Sequence, residues 1–254
     1  MRRSIVLFFL LYVSSLQAQI LREPIPEKLV VLTFDDGAKS HYSYVAPLLK
    51  KYGFGATFFV CEFPPDYADT NKYMTWQQIK ALNSMGFEIG NHTWHHKHVD
   101  KVDADTLNME LAYINDQCEK YGIPRPVSFA YPGYDTYAPA IKTLQMNGIV
   151  MARTGGSKLY DPIHDHPFYI PSFSAANKGK IFRVLKQDNK EKIIVLTVHG
   201  VPDLAHPWVT TSPKRFERYL QLLKAKGYKV IAMRDLNKYI DFRNAETIPL
   251  PAEY

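Results

Sequence analysis

Lys28-Leu29-Val30-Val31-Leu32-Thr33-Phe34-Asp35-Asp36-Gly37 is the stretch on which the fold turns. From Lys28 to Phe34 it is an apolar, β-rich run, the pattern of a buried strand. It then halts on two adjacent acids and a glycine. The rest of the chain repeats this plan: a short apolar run, a turn, then a helical pattern.

Ser40 to Tyr52 reads as a helix closed by Gly53, and Ala56 to Cys61 as a second strand. Thr75 to Met85 reads as a helix with Thr75 as its N-cap and Gly86 at its end. Phe87 to Asn91 is a third strand. Ala104 to Tyr121 is the longest helix, stopped by Gly122 and Pro124. Val127 to Tyr131 and Ile149 to Arg153 are strands that flank a helix over Tyr137 to Met146. Residues 154 to 175 read as an irregular loop, and a loop of that length in a compact domain is usually functional. Ala176 to Lys186 is helical, Lys192 to Val198 a β-branched strand, and Pro213 to Lys226 a helix. Lys229 to Met233 is the seventh strand, Asp235 to Ile240 a short helix, and the tail after Arg243 is loose.

Regular alternation of strand and helix argues for a mainly parallel sheet with helical crossovers. About seven strands in one series predict an α/β fold, a distorted (β/α) barrel of parallel strands in a single domain. An open doubly wound sheet is the alternative. No internal repeat, low-complexity segment or interior linker divides the chain.

The chain has 254 residues, 46% hydrophobic and 22% charged, which is an ordinary globular composition. Its first residues read as a secretory signal: Arg2 and Arg3, an apolar run from Ile5 to Val13, then small residues up to Ala18. This predicts a signal peptide over residues 1–18 and one domain over 19–254, exported to a periplasm or secreted. An uncleaved anchor is the other reading of that run, which is short for a membrane span. No second long apolar stretch follows it. Removing Arg2 and Arg3 lowers the formal charge from +6 to +4. With no dense Lys/Arg block, nucleic acid is not an expected partner. Cys61 and Cys118 could pair in an exported protein or stay as buried thiols. The oligomeric state is not legible.

Strand ends carry the chemistry in parallel α/β folds. Asp35 and Asp36 stand at the first such end, where Asp-Asp-Gly would also suit a plain turn. Neighbours on an extended chain point to opposite sides, so a twist at Gly37 is needed to bring both acids to one site. His92 and His96 follow the third strand. Four residues apart, they share a face if the segment makes a helical turn. Tyr131-Pro132-Gly133-Tyr134 places a turn after the fourth strand, where backbone N–H groups could stabilise an oxyanion. His199 closes the strand Leu196-Thr197-Val198, as a core histidine or as a general acid. Taken together, Asp36, His92 and His96 make a two-His, one-carboxylate set with open positions, suited to hydrolysis by a divalent metal or to non-haem iron chemistry.

The order and spacing of these residues resemble the NodB-like polysaccharide deacetylases. Thr33 to Gly37 matches that family's TFDDG motif, His92 to His96 its H-[ST]-x-x-H, and Leu196 to His199 its L-x-x-H. The resemblance covers roughly residues 28 to 240. It implies a distorted barrel and one divalent metal, usually zinc, with cobalt or nickel also accepted. It implies Asp36, His92 and His96 as ligands, Asp35 as base and His199 as acid. The implied activity is removal of N-acetyl, or O-acetyl, groups from a carbohydrate polymer such as peptidoglycan, chitooligosaccharide or acetylated xylan.

The chain departs from the family at the third motif. Where the family has an arginine that orients the base, this sequence has Ala130. Arg153, at the end of the fifth strand, is the expected replacement, and Gly133 the expected oxyanion donor. Asp161, Asp165 and Asp203 are candidates for the acid that orients His199. Trp94, Tyr134 and Trp208 are candidates for lining the substrate groove. Two other readings stay open: an amidase on a small nitrogenous molecule, and a catalytically inactive glycan-binding protein.

Overall fold

A computed structural model of the chain describes residues 20–252 apart from positions 178 and 188. The signal segment therefore lies outside the described residues. No helix among them is long and apolar enough to cross a membrane.

Eight parallel strands form one sheet: β1 (Leu29–Phe34), β2 (Thr57–Val60), β3 (Glu88–Asn91), β4 (Ser128–Ala130), β5 (Met151–Gly156), β6 (Ile170–Ser174), β7 (Ile194–Val198) and β8 (Lys229–Ile231). The first seven close into a ring. One edge of β1 pairs along its length with β7, from Val30↔Ile194 to Phe34↔Val198. The other edge is shared. Its first half, Leu29 to Val31, pairs with β8, and its end, Thr33 and Phe34, pairs with β2. The Gly55 N–H donates to the Val230 carbonyl just before β2 begins, so β8 wedges between β1 and β2 at the base.

Among the described residues, seven α-helices follow the strands: α1 (Ala46–Tyr52), α2 (Trp76–Ser84), α3 (Ala104–Lys120), α4 (Ala140–Met146), α5 (Lys180–Val184), α6 (Pro213–Ala225) and α7 (Phe242–Ala245). Thr75 caps α2 as the sequence predicts: its side chain accepts from the Gln78 N–H, and the Gln78 side chain accepts from the Thr75 N–H.

Strand parity sorts the core. Val30, Leu32 and Phe34 pack with Leu49, Ile79, Phe216 and Leu220 from the helices. Leu29 and Val31, pointing the other way, pack with Phe59, Met151 and Val195. Asp35 continues the row of Leu29, Val31 and Thr33. A carboxylate is thereby delivered to the mouth of the barrel by the same alternation that fills its interior.

Three expectations change. Ile170–Ser174, within the segment read as an irregular loop, is strand β6, while the expected seventh strand at Lys229 is the basal wedge. Pro171 and a register irregularity between Arg153 and Gly156 disguise β6. The tail is not loose. Phe242, Ala245 and Ile248 are buried in the basal cluster, and the Asp241 N–H donates to the Ile20 carbonyl. Cys61 and Cys118 are both buried and unpaired, and burial pushes the Cys118 thiol up to about 12.

Candidate active site

The twist that joins the two acids begins at Asp36 itself. Asp36 has φ 74° and Gly37 φ 63°, so the chain turns left-handed as soon as β1 ends. This swings the Asp36 carboxylate round beside Asp35, into the barrel mouth.

The segment after β3 is not the helical turn expected from the spacing of its histidines. Thr93 and His96 both adopt positive φ, and the chain is irregular from His92 to His98. The rings still converge. Asp36 Oδ1 lies 3.4 Å from His92 Nε2 and 3.5 Å from His96 Nε2. The His92 Nδ1 atom is 2.7 Å from the Ala130 carbonyl. A carbonyl only accepts, so Nδ1 carries a proton, and Nε2 is the ring atom turned to Asp36. Burial, with the neighbouring His92, pushes the His96 ring down to about 4. At neutral pH it is an uncharged imidazole. Burial would raise the Asp36 carboxyl, but the His92 contact and the neighbouring His199, His92 and His96 rings outweigh it and hold it well below the usual carboxylate range.

Asp36, His92 and His96 each place one ligand atom within 4.8 Å of the other two. Asp36 Oδ1 is buried without a hydrogen-bond donor. Ligands about 2.1 Å from a tetrahedral ion stand about 3.4 Å apart, close to the separations found between Oδ1 and each imidazole. This donor set therefore fits a divalent cation.

Two buried glutamates hold the histidine loop. Glu62 accepts from Trp76 Nε1 and Trp94 Nε1, each at 2.9 Å, and from the Tyr113 hydroxyl. Glu110 accepts from the His95 N–H and lies 2.7 Å from His95 Nδ1. Glu62→Gln would turn an amide N–H toward an indole N–H. The expected result in urea denaturation is a loss of about 2 kcal/mol; an unchanged midpoint would count against this clamp.

Asp35 is 2% exposed and Arg153 fully buried. Arg153 Nη2 donates to Asp35 Oδ2 at 2.6 Å. The guanidinium lies 5.5 Å from the Phe59 ring and 5.4 Å from the Tyr134 ring. Ala130 and Arg153 are register partners on β4 and β5. Partners in register on neighbouring parallel strands face the same way, so Arg153 reaches into the space beside Ala130.

Residues 22–152 match the family described as Polysaccharide deacetylase. The chain belongs to the polysaccharide deacetylase family. It is 33% identical over 219 residues to the peptidoglycan-N-acetylglucosamine deacetylase of Bacillus cereus, covering 85% of this chain and 91% of that one. It is 26% identical over 162 residues to the poly-beta-1,6-N-acetyl-D-glucosamine N-deacetylase of Escherichia coli K12, covering 59% of this chain. That match spans only 22% of the Escherichia coli protein's length. A family 4 acetyl xylan esterase from Clostridium thermocellum, solved in complex with a cobalt ion, superposes with TM-score 0.57 at 25% identity, covering 82% of this chain and 90% of that one.

In this family member His199 Nε2 lies 3.8 Å from Asp36 Oδ2. Its Nδ1 is buried with no hydrogen-bond partner among the described residues. None of the three aspartates considered as its orienting acid bonds the ring. Asp161 pairs with His164 and Lys192, and Asp165 with Lys158. Asp203 instead organises the loop after β7, accepting from the N–H groups of Gly200, Ala205 and His206. The His199 carbonyl is held by His41 Nε2 at 3.3 Å.

A cleft of about 360 Å³ opens over the site, lined among others by Asp35, Asp36, Gly133, Tyr134, His199 and Trp208. Gly133 has φ 64° in the turn after β4. Trp94 is not part of this lining: its ring stacks on Tyr113 at 3.9 Å and its N–H goes to Glu62. The sequence reading missed His206, whose Nδ1 lies 3.6 Å from Asp36 Oδ2. It also missed Phe63, which packs on both His96 and His206. The one local signal for His206 was its place in the same β7 loop as His199.

Proposed function

We propose that this chain is an exported, metal-dependent hydrolase that removes N-acetyl groups from a carbohydrate polymer. The observation that carries the reading is the convergence of Asp36 Oδ1 with the Nε2 atoms of His92 and His96, beside a second carboxylate held by Arg153. Asp36, His92 and His96 would hold one divalent ion, zinc in the first instance, with cobalt or nickel as substitutes. When bound, that ion would supply Lewis acidity to the acetyl carbonyl and to the attacking water.

Asp35 takes the proton of that water on Oδ1, because Oδ2 is occupied by Arg153. Arg153 does for this base what the family's third-motif arginine does elsewhere. His199 Nε2 gives a proton to the leaving nitrogen. The Gly133 N–H stands at the cleft to receive the oxyanion. Export rests on Arg2, Arg3, the run from Ile5 to Val13 and the small residue Ala18. An N-acetylated substrate is supported by the Bacillus cereus and Escherichia coli relatives, both named for that linkage.

The test is acetate release from N-acetylglucosamine oligomers, peptidoglycan and acetylated xylan, with and without a chelator. Release that chelation abolishes and zinc restores is the expected result. Glycan binding with neither acetate nor bound metal would overturn the hydrolase reading in favour of an inactive binding protein.

A further inference from the structure

Asp36 serves two faces. Its Oδ1 meets the Nε2 atoms of His92 and His96. Its Oδ2 turns toward the loop after β7, where His206 Nδ1 lies 3.6 Å away. The same Nδ1 is 3.7 Å from Asp203 Oδ1. Both separations are too long for a hydrogen bond, and Nδ1 is buried with no hydrogen-bond partner among the described residues. Asp36, Asp203 and His206 each place one ligand atom within 4.8 Å of the other two, as Asp36, His92 and His96 do. Ligands of one tetrahedral cation stand about 3.4 Å apart. The donor pattern found on the first oxygen of Asp36 is therefore repeated on the second.

The surroundings hold these donors in place. Asp36 is 5% exposed and Asp203 3%. Three N–H groups, from Gly200, Ala205 and His206, bind the Asp203 carboxylate. A carboxylate has about four lone-pair positions, so one is left for an ion. The Asp203 N–H in turn donates to Thr210 Oγ1. A Cβ on Gly200 would lie 2.4 Å from Asp203 Cα, so only glycine lets this turn close. The Phe63 ring packs on both His96 and His206, at 5.1 and 4.9 Å between centroids, and sets the two histidines against one wall. Donors fixed this way need little reordering to bind. The His206 side chain remains 15% exposed and lines the cleft, so an ion can reach it.

We infer that Asp36, Asp203 and His206 form a second, weaker site for a divalent cation, zinc in the first instance, with Asp36 shared between the two ions, and that filling it arrests turnover. One imidazole and two carboxylates are donors that zinc accepts. Paired cations about 3.5–4 Å apart recur in hydrolases. The second site is the weaker because its ion meets the charge of the first across one carboxylate. The arrest follows from His199, whose Nε2 lies 3.8 Å from the same Asp36 Oδ2. A cation on that oxygen occupies the space through which His199 reaches the leaving nitrogen. The arrest rests on the hydrolase reading; the ion site does not.

The experiment titrates zinc into the protein stripped by chelation and follows it by calorimetry. The wild type should bind two ions per chain, the second at least about tenfold more weakly than the first. His206→Ala should bind one ion and keep the first affinity, which needs the assembled barrel mouth and so reports an intact fold. In parallel, acetate release from N-acetylglucosamine oligomers should peak near one equivalent of zinc. At ten times the second dissociation constant it should fall about tenfold by mass action. In His206→Ala that fall should vanish, whatever the height of the peak. A single ion per chain at every zinc concentration would overturn the site. So would a second ion that survives His206→Ala and is lost in Asp135→Asn, which would belong to the separate cluster of His98, Asp100 and Asp135. A second ion lost in His206→Ala, with wild-type release unmoved by excess zinc, would overturn the arrest. Two ions bound and no acetate at any zinc level would overturn the hydrolase reading and keep the site.

Discussion

Asp36→Ala is expected to lower acetate release by at least about a thousandfold and to reduce bound zinc from one ion per chain to a trace. The reason is charge. Burial keeps the His96 ring uncharged at neutral pH, and the Ala130 carbonyl fixes the orientation of His92. Asp36 supplies the negative charge in the donor set. Its two oxygens also divide the site: Oδ1 faces His92 and His96, while Oδ2 faces His199 and His206. Elemental analysis after dialysis checks the zinc, and an acetate assay checks turnover. Asp36→Asn keeps the shape and removes the charge, so it should resemble the alanine variant in metal content while retaining its circular dichroism. A variant that kept its ion and its activity would remove Asp36 from the ligand set.

Much of this site was legible because parity and strand ends are sequence properties. Asp35 is the next inward position after Leu29, Val31 and Thr33. Arg153 stands in the same relation to Met151, and His199 to Val195 and Thr197. What hid was whatever depends on backbone sign or on long-range packing. The four-residue spacing of His92 and His96 puts both on one face if the segment is a helical turn, yet the chain meets the same demand with positive φ at Thr93 and His96. Strand β6 carries a proline and two serines, so its place between β5 and β7 comes from pairing, not from composition. His206 is a single histidine in a proline-bearing loop. Only the Asp203 carboxylate, by gathering three N–H groups, brings it over Asp36. Trp94 was legible as an aromatic beside the ligands, but a buried glutamate claims its N–H for the loop.

Arg153→Ala is expected to cost about 3–5 kcal/mol of stability, because it leaves the Asp35 carboxylate buried without its cation. Turnover should fall by a factor of about 100 or more with little change in KM, since the base loses its orientation and the substrate contacts persist. The geometry supplies a sharper version. Ala130 is the register partner of Arg153, and its backbone carbonyl, not its methyl, holds His92. An arginine at 130 can therefore enter the space that Arg153 vacates without disturbing the ligand. Arg153→Ala combined with Ala130→Arg should regain part of kcat, whereas Ala130→Arg alone should be overpacked and destabilised. Asp35→Ala together with Arg153→Ala should cost less than the two separately, because the buried pair is removed whole. If Arg153→Ala turned over at the wild-type rate, or the swap restored stability but no turnover, the cation on β5 would be a packing element with no hold on the base.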